Sequence, residues 1–337
     1  MTKLKKLNEQ VIVITGATSG IGLATAYLAA ERGARLVLAA RNEDALKLLI
    51  RDLRRQGHEA IYVVTDIGRQ AEVQNLRYIA KKHFGGFDTW VNNAATGVYG
   101  RLTEVAIEDH RQLFETNFWG VVYGSLEAVR HFRERGGTLI NVGSALSDRA
   151  IPLQGMYATS KHAVKGFTDA LRMELEAEDA PVNVTLVKPA SIDAPFPQHA
   201  KNYMREEPTL PPPVYAAKVV AEAILHCATR YERDLTVGGG GKLISALGQH
   251  APRLSDKVME SDMFLALQKT GRPARHARGA PTSGASALET RGQYGGHVRK
   301  SSFYTLANRQ PLAKLTLIAA AGLTLAALLA SSAGRNK

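Results

Sequence analysis

The stretch Gln10-Val-Ile-Val-Ile-Thr15-Gly16-Ala-Thr-Ser-Gly20-Ile-Gly22 is an apolar run that breaks into a glycine-rich turn. Behind it, Gly20 to Arg32 sets Ala and Leu at helical spacing, so the order is strand, tight turn, helix. Glycine lets the backbone of such a turn pass close to a bound group. The first turn of the helix adds unpaired N–H groups and the positive end of its dipole. That combination suits the phosphates of a dinucleotide, with Thr15, Gly16, Ser19, Gly20, Ile21 and Gly22 as candidate contacts. The alternative is a turn of the same shape that binds nothing.

The alternation continues along the chain. Strands are expected at Arg35–Ala40, Ala60–Thr65, Phe87–Val91, Thr138–Val142, Val182–Val187 and Asp234–Val237. Helices are expected at Asp44–Gln56, Arg69–Phe84, Glu108–His131 and Val214–Thr229. Strands and helices in turn imply an α/β fold, a Rossmann-type doubly wound parallel sheet of about seven strands with helices on both faces. The second strand ends at Ala40-Arg41, where an NAD site usually has an acidic residue for the ribose 2′-hydroxyl. The Arg41 guanidinium suits a 2′-phosphate instead, which favours NADP(H). A solvated helix-capping region is the other reading of Arg41.

Ser144-Ala-Leu-Ser-Asp, then Tyr157-Ala-Thr-Ser-Lys161-His-Ala-Val, closes the set. Ala163, Val164, Phe167, Ala170, Leu171 and Leu175 keep a helical spacing, so Tyr157 and Lys161 stand one turn apart on one face. A phenol beside an ammonium can exchange a proton near neutral pH, because the positive charge favours the phenolate. Ser144, at the end of the fifth expected strand, can bring a hydroxyl to the same spot. Taken alone, Tyr-x-x-x-Lys is a common pairing.

With Gly-x-x-x-Gly-x-Gly at 16–22, Asn92-Asn93-Ala94-Ala95 and Tyr157-x-x-x-Lys161 in that order, the chain resembles the single-domain short-chain dehydrogenase/reductase family, NADP(H)-dependent type. The resemblance covers roughly residues 8–240. It implies an enzyme that interconverts a carbonyl and an alcohol, with Tyr157 as general acid or base. Lys161 would tune that phenol and hold the ribose, Ser144 would bond the carbonyl oxygen, and Asn117, a poor residue for a helix interior, would distort its helix and hold a water in a proton relay. It places Asp66 at the adenine, and Asn93, Ala94, Pro189 and Ile192 along the rest of the cofactor. Three positions depart from the family pattern: Ala95 and Ala190 stand where it has Gly, and Ala194 where it has Thr. The resemblance also implies pairing into a homodimer or homotetramer. A membrane-attached NADP(H)-binding scaffold or sensor without turnover is the alternative function.

Pro189 to Pro213 holds seven of the thirteen prolines and no periodicity, and reads as a substrate lid with Phe196, Tyr203 and Met204 facing an apolar pocket. The single cysteine, Cys227, excludes an internal disulfide. Of the net charge of +12, residues 1–250 carry only +3 and residues 251–337 carry +9. A basic chain can bind nucleic acid, but the excess lies outside the enzyme-like region and no nucleic-acid motif accompanies it. Three segments are therefore expected: a catalytic domain over 1–245, a basic extension or linker over 246–310, and an apolar helix over 311–331. Leu312 to Ala330 contains eight Leu or Ile, seven Ala and one charge, Lys314, and has the length of a membrane span. Membrane contact through 312–330, with the catalytic domain in the cytoplasm, is the expectation; a soluble cytoplasmic protein is the alternative. No metal-ligand cluster is read in the chain.

Overall fold

A computed structural model describes residues 4–274, 279 and 288–308. Seven strands form one parallel sheet: β1 Val11–Thr15, β2 Arg35–Ala40, β3 Ala60–Val64, β4 Thr89–Asn92, β5 Gly137–Val142, β6 Val182–Pro189 and β7 Asp234–Val237. Their order across the sheet is β7-β6-β5-β4-β1-β2-β3, so the winding direction reverses between β1 and β4. Ile12 pairs with Leu36 on one side and Thr89 on the other, and Asn92 pairs with Asn141.

Both faces are covered, which explains the unbroken apolar runs. Ile12, Ile14, Leu36 and Leu38 point to one face, under helices α1 (Gly20–Glu31) and α2 (Glu43–Arg55), together with a further helix over Ala217–Thr229. Val11, Val13, Val37 and Ala39 point to the other. That face lies under α3 (Gln70–Phe84), α5 (Gly120–Arg135) and α6 (Gly155–Ala177), with Trp90, Phe132, Leu171 and Leu175 buried between them. Period-two alternation of the side chains splits each strand between the two layers.

The long helix expected over 108–131 is interrupted. α4 (Ile107–Phe114) ends in a π-helical turn over Glu115–Trp119 before α5 begins. Asn117 sits in that turn, fully buried. The helix expected from Val214 starts three residues later, because Val214–Ala216 pairs in parallel with Ile192–Asp193 as a short strand.

The segment read as a linker is built into the protein over its described residues. Gly239–His250, Pro252–Glu260 and Asp262–Ala266 are helical, and Lys269–Pro273 pairs antiparallel with Glu206–Pro208. Val298–Arg299 pairs with Val214–Tyr215. Pairings two to five residues long leave no periodicity to read, since the edge that stabilises each strand lies elsewhere in the chain. No helix among the described residues is long and apolar enough to cross a membrane. The apolar segment 311–331 lies outside the described residues.

Candidate active site

A cavity of about 770 Å³ opens at the C-terminal ends of the strands, beside the β1–β4 reversal. In open α/β sheets this crevice is where ligands bind. Gly16, Ser19, Gly20, Ile21, Arg41, Asp66, Asn93 and Ala94 line one end. Ser144, Tyr157, Lys161, Pro189 and Ile192 line the other. Thirteen of the sixteen site residues expected from the sequence thus face one space.

Thr15, Gly22 and Asn117 do not line it. The Thr15 hydroxyl is buried behind the wall, donating to the Val91 carbonyl and accepting from the amides of Asn93 and Ala94. It ties the end of β1 to the end of β4. Gly22 is where the helix passes the turn: a Cβ there would lie 2.1 Å from the Gly16 oxygen and 2.6 Å from Asn93 Nδ2. Gly22→Ala is therefore expected to cost about 1–3 kcal/mol of stability, read by chemical denaturation. An unchanged denaturation midpoint would show that the turn can move aside. Gly16 and Gly20 have φ of +67° and +53°, a region that side chains disfavour. The Gly20 amide does not point free toward a phosphate, because it donates to the Glu289 carbonyl at 2.8 Å.

Arg41 follows the end of β2, exposed, and makes no ion pair or hydrogen bond among the described residues. Asp66 follows β3, and its Oδ1 accepts from the Gly68 amide at 3.0 Å. Asn93 Nδ2 donates to the carbonyls of Thr15 and Gly16, which fixes the turn from below. Ala95 is not among the residues with positive φ, so its methyl sits in ordinary backbone.

At the other end, β5 runs into Ser144, which caps a short 3₁₀ turn and accepts from the Leu146 amide at 3.1 Å. Tyr157 and Lys161 fall in the first two turns of α6 on one face, with the Lys161 nitrogen 5.8 Å from the centre of the Tyr157 ring. Phe196 packs on the Tyr157 ring at 5.2 Å. The Tyr157 phenol is pushed up to about 12, burial outweighing the lowering effect of the Ser144 hydroxyl. The Lys161 ammonium is lowered to about 8 by burial. It donates to the Val142 carbonyl at 2.9 Å. The expectation that Lys161 depresses the phenol is thus outweighed by desolvation of both groups. A second phenol missed in the sequence, Tyr99, also faces the cavity and is raised by burial and by Tyr157.

Asn117 distorts its helix as expected, but its side chain is spent elsewhere. Its Oδ1 accepts from the Thr96 amide at 2.8 Å, and its Nδ2 donates to the Thr96 carbonyl and the Ser160 hydroxyl. No bond to Lys161 is among them. Of the three candidate lid residues, Phe196 lines the cavity. Tyr203 instead donates to Asp109 at 2.6 Å, and Met204 does not reach the space. Leu210, Pro211, Phe264 and Leu267 complete the apolar side. Phe264 and Leu267 come from the segment read as linker, where no pattern singled them out.

A family model described as short chain dehydrogenase matches residues 10–204. The chain belongs to the short-chain dehydrogenase family. It is similar to the uncharacterized oxidoreductase YxnA of Bacillus subtilis, 46% identical over 321 residues, covering 94% of this chain and 90% of the relative. It is also similar to 11-beta-hydroxysteroid dehydrogenase A of Sesamum indicum, 33% identical over 239 residues, covering 67% of this chain and 68% of that one. Among solved structures it resembles a short chain dehydrogenase/reductase from Burkholderia phymatum in complex with NAD, with TM-score 0.67 and 27% identity. That likeness covers 75% of this chain and 96% of the other. An alcohol dehydrogenase from the archaeon Thermococcus sibiricus, complexed with 5-hydroxy-NADP, matches with TM-score 0.59 and 27% identity, over 67% and 95%. This dehydrogenase is therefore an oxidoreductase acting on CH–OH groups with a nicotinamide cofactor, and a scaffold without turnover is not favoured. The glycine turn at the head of α1, with Arg41 and Asp66 beside it and the cavity running on to Tyr157, fits such a dinucleotide.

Proposed function

We propose that this dehydrogenase interconverts a lipophilic carbonyl compound and its alcohol with NADP(H). The observation that carries the reading is that Ser144, Tyr157 and Lys161 line the same cavity as the glycine turn and Arg41. The cofactor supplies the hydride at nicotinamide C4. Tyr157 gives its phenolic proton to the carbonyl oxygen as that oxygen gains charge, and takes it back in the oxidative direction. A phenol held protonated by burial suits the acid role. The Ser144 hydroxyl, beside the phenol, turns its one proton to the same oxygen when the carbonyl is bound. Lys161, held beside the phenol by the Val142 carbonyl, offsets the negative charge left on Tyr157. Asn117 fixes the π-helical turn and the loop at Thr96, which sets the wall behind the relay.

Arg41 supports NADP(H) over NAD(H), since it lines the cavity, is exposed and has no ion pair among the described residues. Arg41→Ala is expected to weaken NADPH binding about tenfold while leaving NADH binding within about twofold. Equal weakening of the two would remove the preference. The apolar side of the cavity, with Ile151, Leu210, Phe264 and Leu267, supports a lipophilic substrate, as does the naming of a relative as a hydroxysteroid dehydrogenase. The composition of 312–330 supports membrane attachment on the same reading. The test is NADPH and NADH oxidation against carbonyl compounds of graded chain length and ring count, run with and without residues 311–337. Absence of turnover with every compound overturns the proposal.

A further inference from the structure

Two walls meet at the phosphate end of the cavity: the glycine turn before α1, and the segment that leaves β6. They touch closely, since a Cβ built on Gly20 would lie 3.0 Å from the Ala194 Cβ. The family resemblance puts Thr at this position, whereas Ala194 has no polar atom with which to grip either a ligand or the facing turn. A third piece of chain holds the two walls together, and it comes from the C-terminal extension. The Glu289 carbonyl accepts from the Gly20 amide at 2.8 Å. Two residues on, Arg291 Nε donates to Asp193 Oδ2 at 3.1 Å, and the Gly292 amide donates to Asp193 Oδ1 at 3.0 Å. Leu288 packs on the main core cluster just before them. Val298–Arg299 then adds to the strand pair formed by Val214–Ala216 and Ile192–Asp193.

Asp193 is only 1% exposed, and both partners of its carboxylate among the described residues belong to the extension. A carboxylate buried without partners is costly, so the fold requires the extension to be seated here. The fit is close as well as charged: a Cβ on Gly292 would lie 2.5 Å from the Ala194 oxygen. Arg291, by contrast, is 76% exposed, so its side chain can be cut back without opening the core.

We infer that residues 289–292 form a brace that holds the glycine turn and the Asp193–Ala194 wall at the spacing the cofactor phosphates need, with Asp193 and Arg291 as positioning residues. This rests on the dinucleotide reading of the site and adds residues about one hundred positions downstream to it. Walls fixed before a ligand arrives spare it the cost of ordering them, so the brace acts on cofactor affinity. It does not touch the reacting carbonyl, and leaves the hydride and proton steps alone.

The test uses the full-length protein and measures NADPH and NADH dissociation constants by quenching of protein fluorescence, without substrate. Arg291→Ala and Gly292→Ala are expected to raise the dissociation constant about tenfold, with kcat at saturating cofactor within about twofold of the parent. Arg291→Lys, which keeps the charge, is expected to recover most of the affinity. Unchanged affinity in both variants overturns the brace. So does an Arg291→Ala protein in which kcat and melting temperature fall together while affinity holds, since that is a structural role only. A parent protein that binds neither dinucleotide overturns the functional reading and the brace with it. Tight binding by the parent with unaltered variants overturns the brace alone.

Discussion

The Tyr157→Phe protein is expected to keep its fold and its grip on the nicotinamide cofactor while turnover falls by about 10²–10⁴-fold, the usual contribution of a positioned acid. The change removes one oxygen. That oxygen meets the Ser144 hydroxyl, and the ring keeps its contact with Phe196. Stability and cofactor affinity, measured by melting and by fluorescence quenching, should therefore stay near those of the parent. The pH dependence separates the two directions of reaction. With the phenol raised to about 12, Tyr157 is protonated throughout the neutral range, so reduction is expected to be insensitive to pH there. Oxidation, on the proposed role, draws on the phenolate and is expected to accelerate as pH rises. Turnover within about tenfold of the parent in Tyr157→Phe would take the proton step away from this residue.

Lys161→Met is expected to abolish turnover with little loss of stability, and to change how stability responds to alkali. The ammonium is 2% exposed and its pKa falls from 10.5 to about 8 on folding. A cation whose folded pKa is depressed costs stability wherever it stays charged. The cost is full below pH 8 and fades as pH rises toward the unfolded value. Its size is about 3 kcal/mol at neutral pH, by the difference between the two values. Met removes that cost and fills similar volume, but leaves the Val142 carbonyl without its donor, a loss of about 1–3 kcal/mol. The two nearly cancel at pH 7. Between pH 7 and pH 10 the parent should gain roughly 2 kcal/mol relative to Lys161→Met, by denaturant titration of both proteins. A difference that does not move with pH would mean that Lys161 is not held against its solvation.

What could be read in the chain was local. The glycine turn, the end of β2 at Arg41 and the Tyr157–Lys161 pair each depend on neighbours within a few residues, and each lines the cavity. Asn117 was legible as a break because an amide inside a helix competes for backbone groups, and the π-helical turn stands there. Where its side chain goes was not legible, since Thr96 and Ser160 approach it from other elements. The sign of the Tyr157 shift was missed for the same reason. Charge proximity follows from spacing, whereas desolvation depends on everything that packs around the pair. Phe264, Leu267 and the Asp193–Arg291 pair were out of reach because the partners are separated by long stretches of chain with no repeating pattern. The basic composition that marked the extension as a linker hid short strands whose order comes from edges they do not themselves contain.

The apolar cover of the cavity has a separate origin from its chemistry. Ser144 follows β5, and Tyr157 and Lys161 stand on α6, while Phe264 and Leu267 come from the C-terminal extension, just before Lys269–Pro273 and its antiparallel mate. Phe264 nevertheless shares a cluster with Ile151 and Leu146 from the loop between Ser144 and Tyr157, and Gln268 bonds Gln154 at the foot of α6, so cover and loop are coupled. New tastes in substrate tried at Phe264 therefore call for a matching change on that loop.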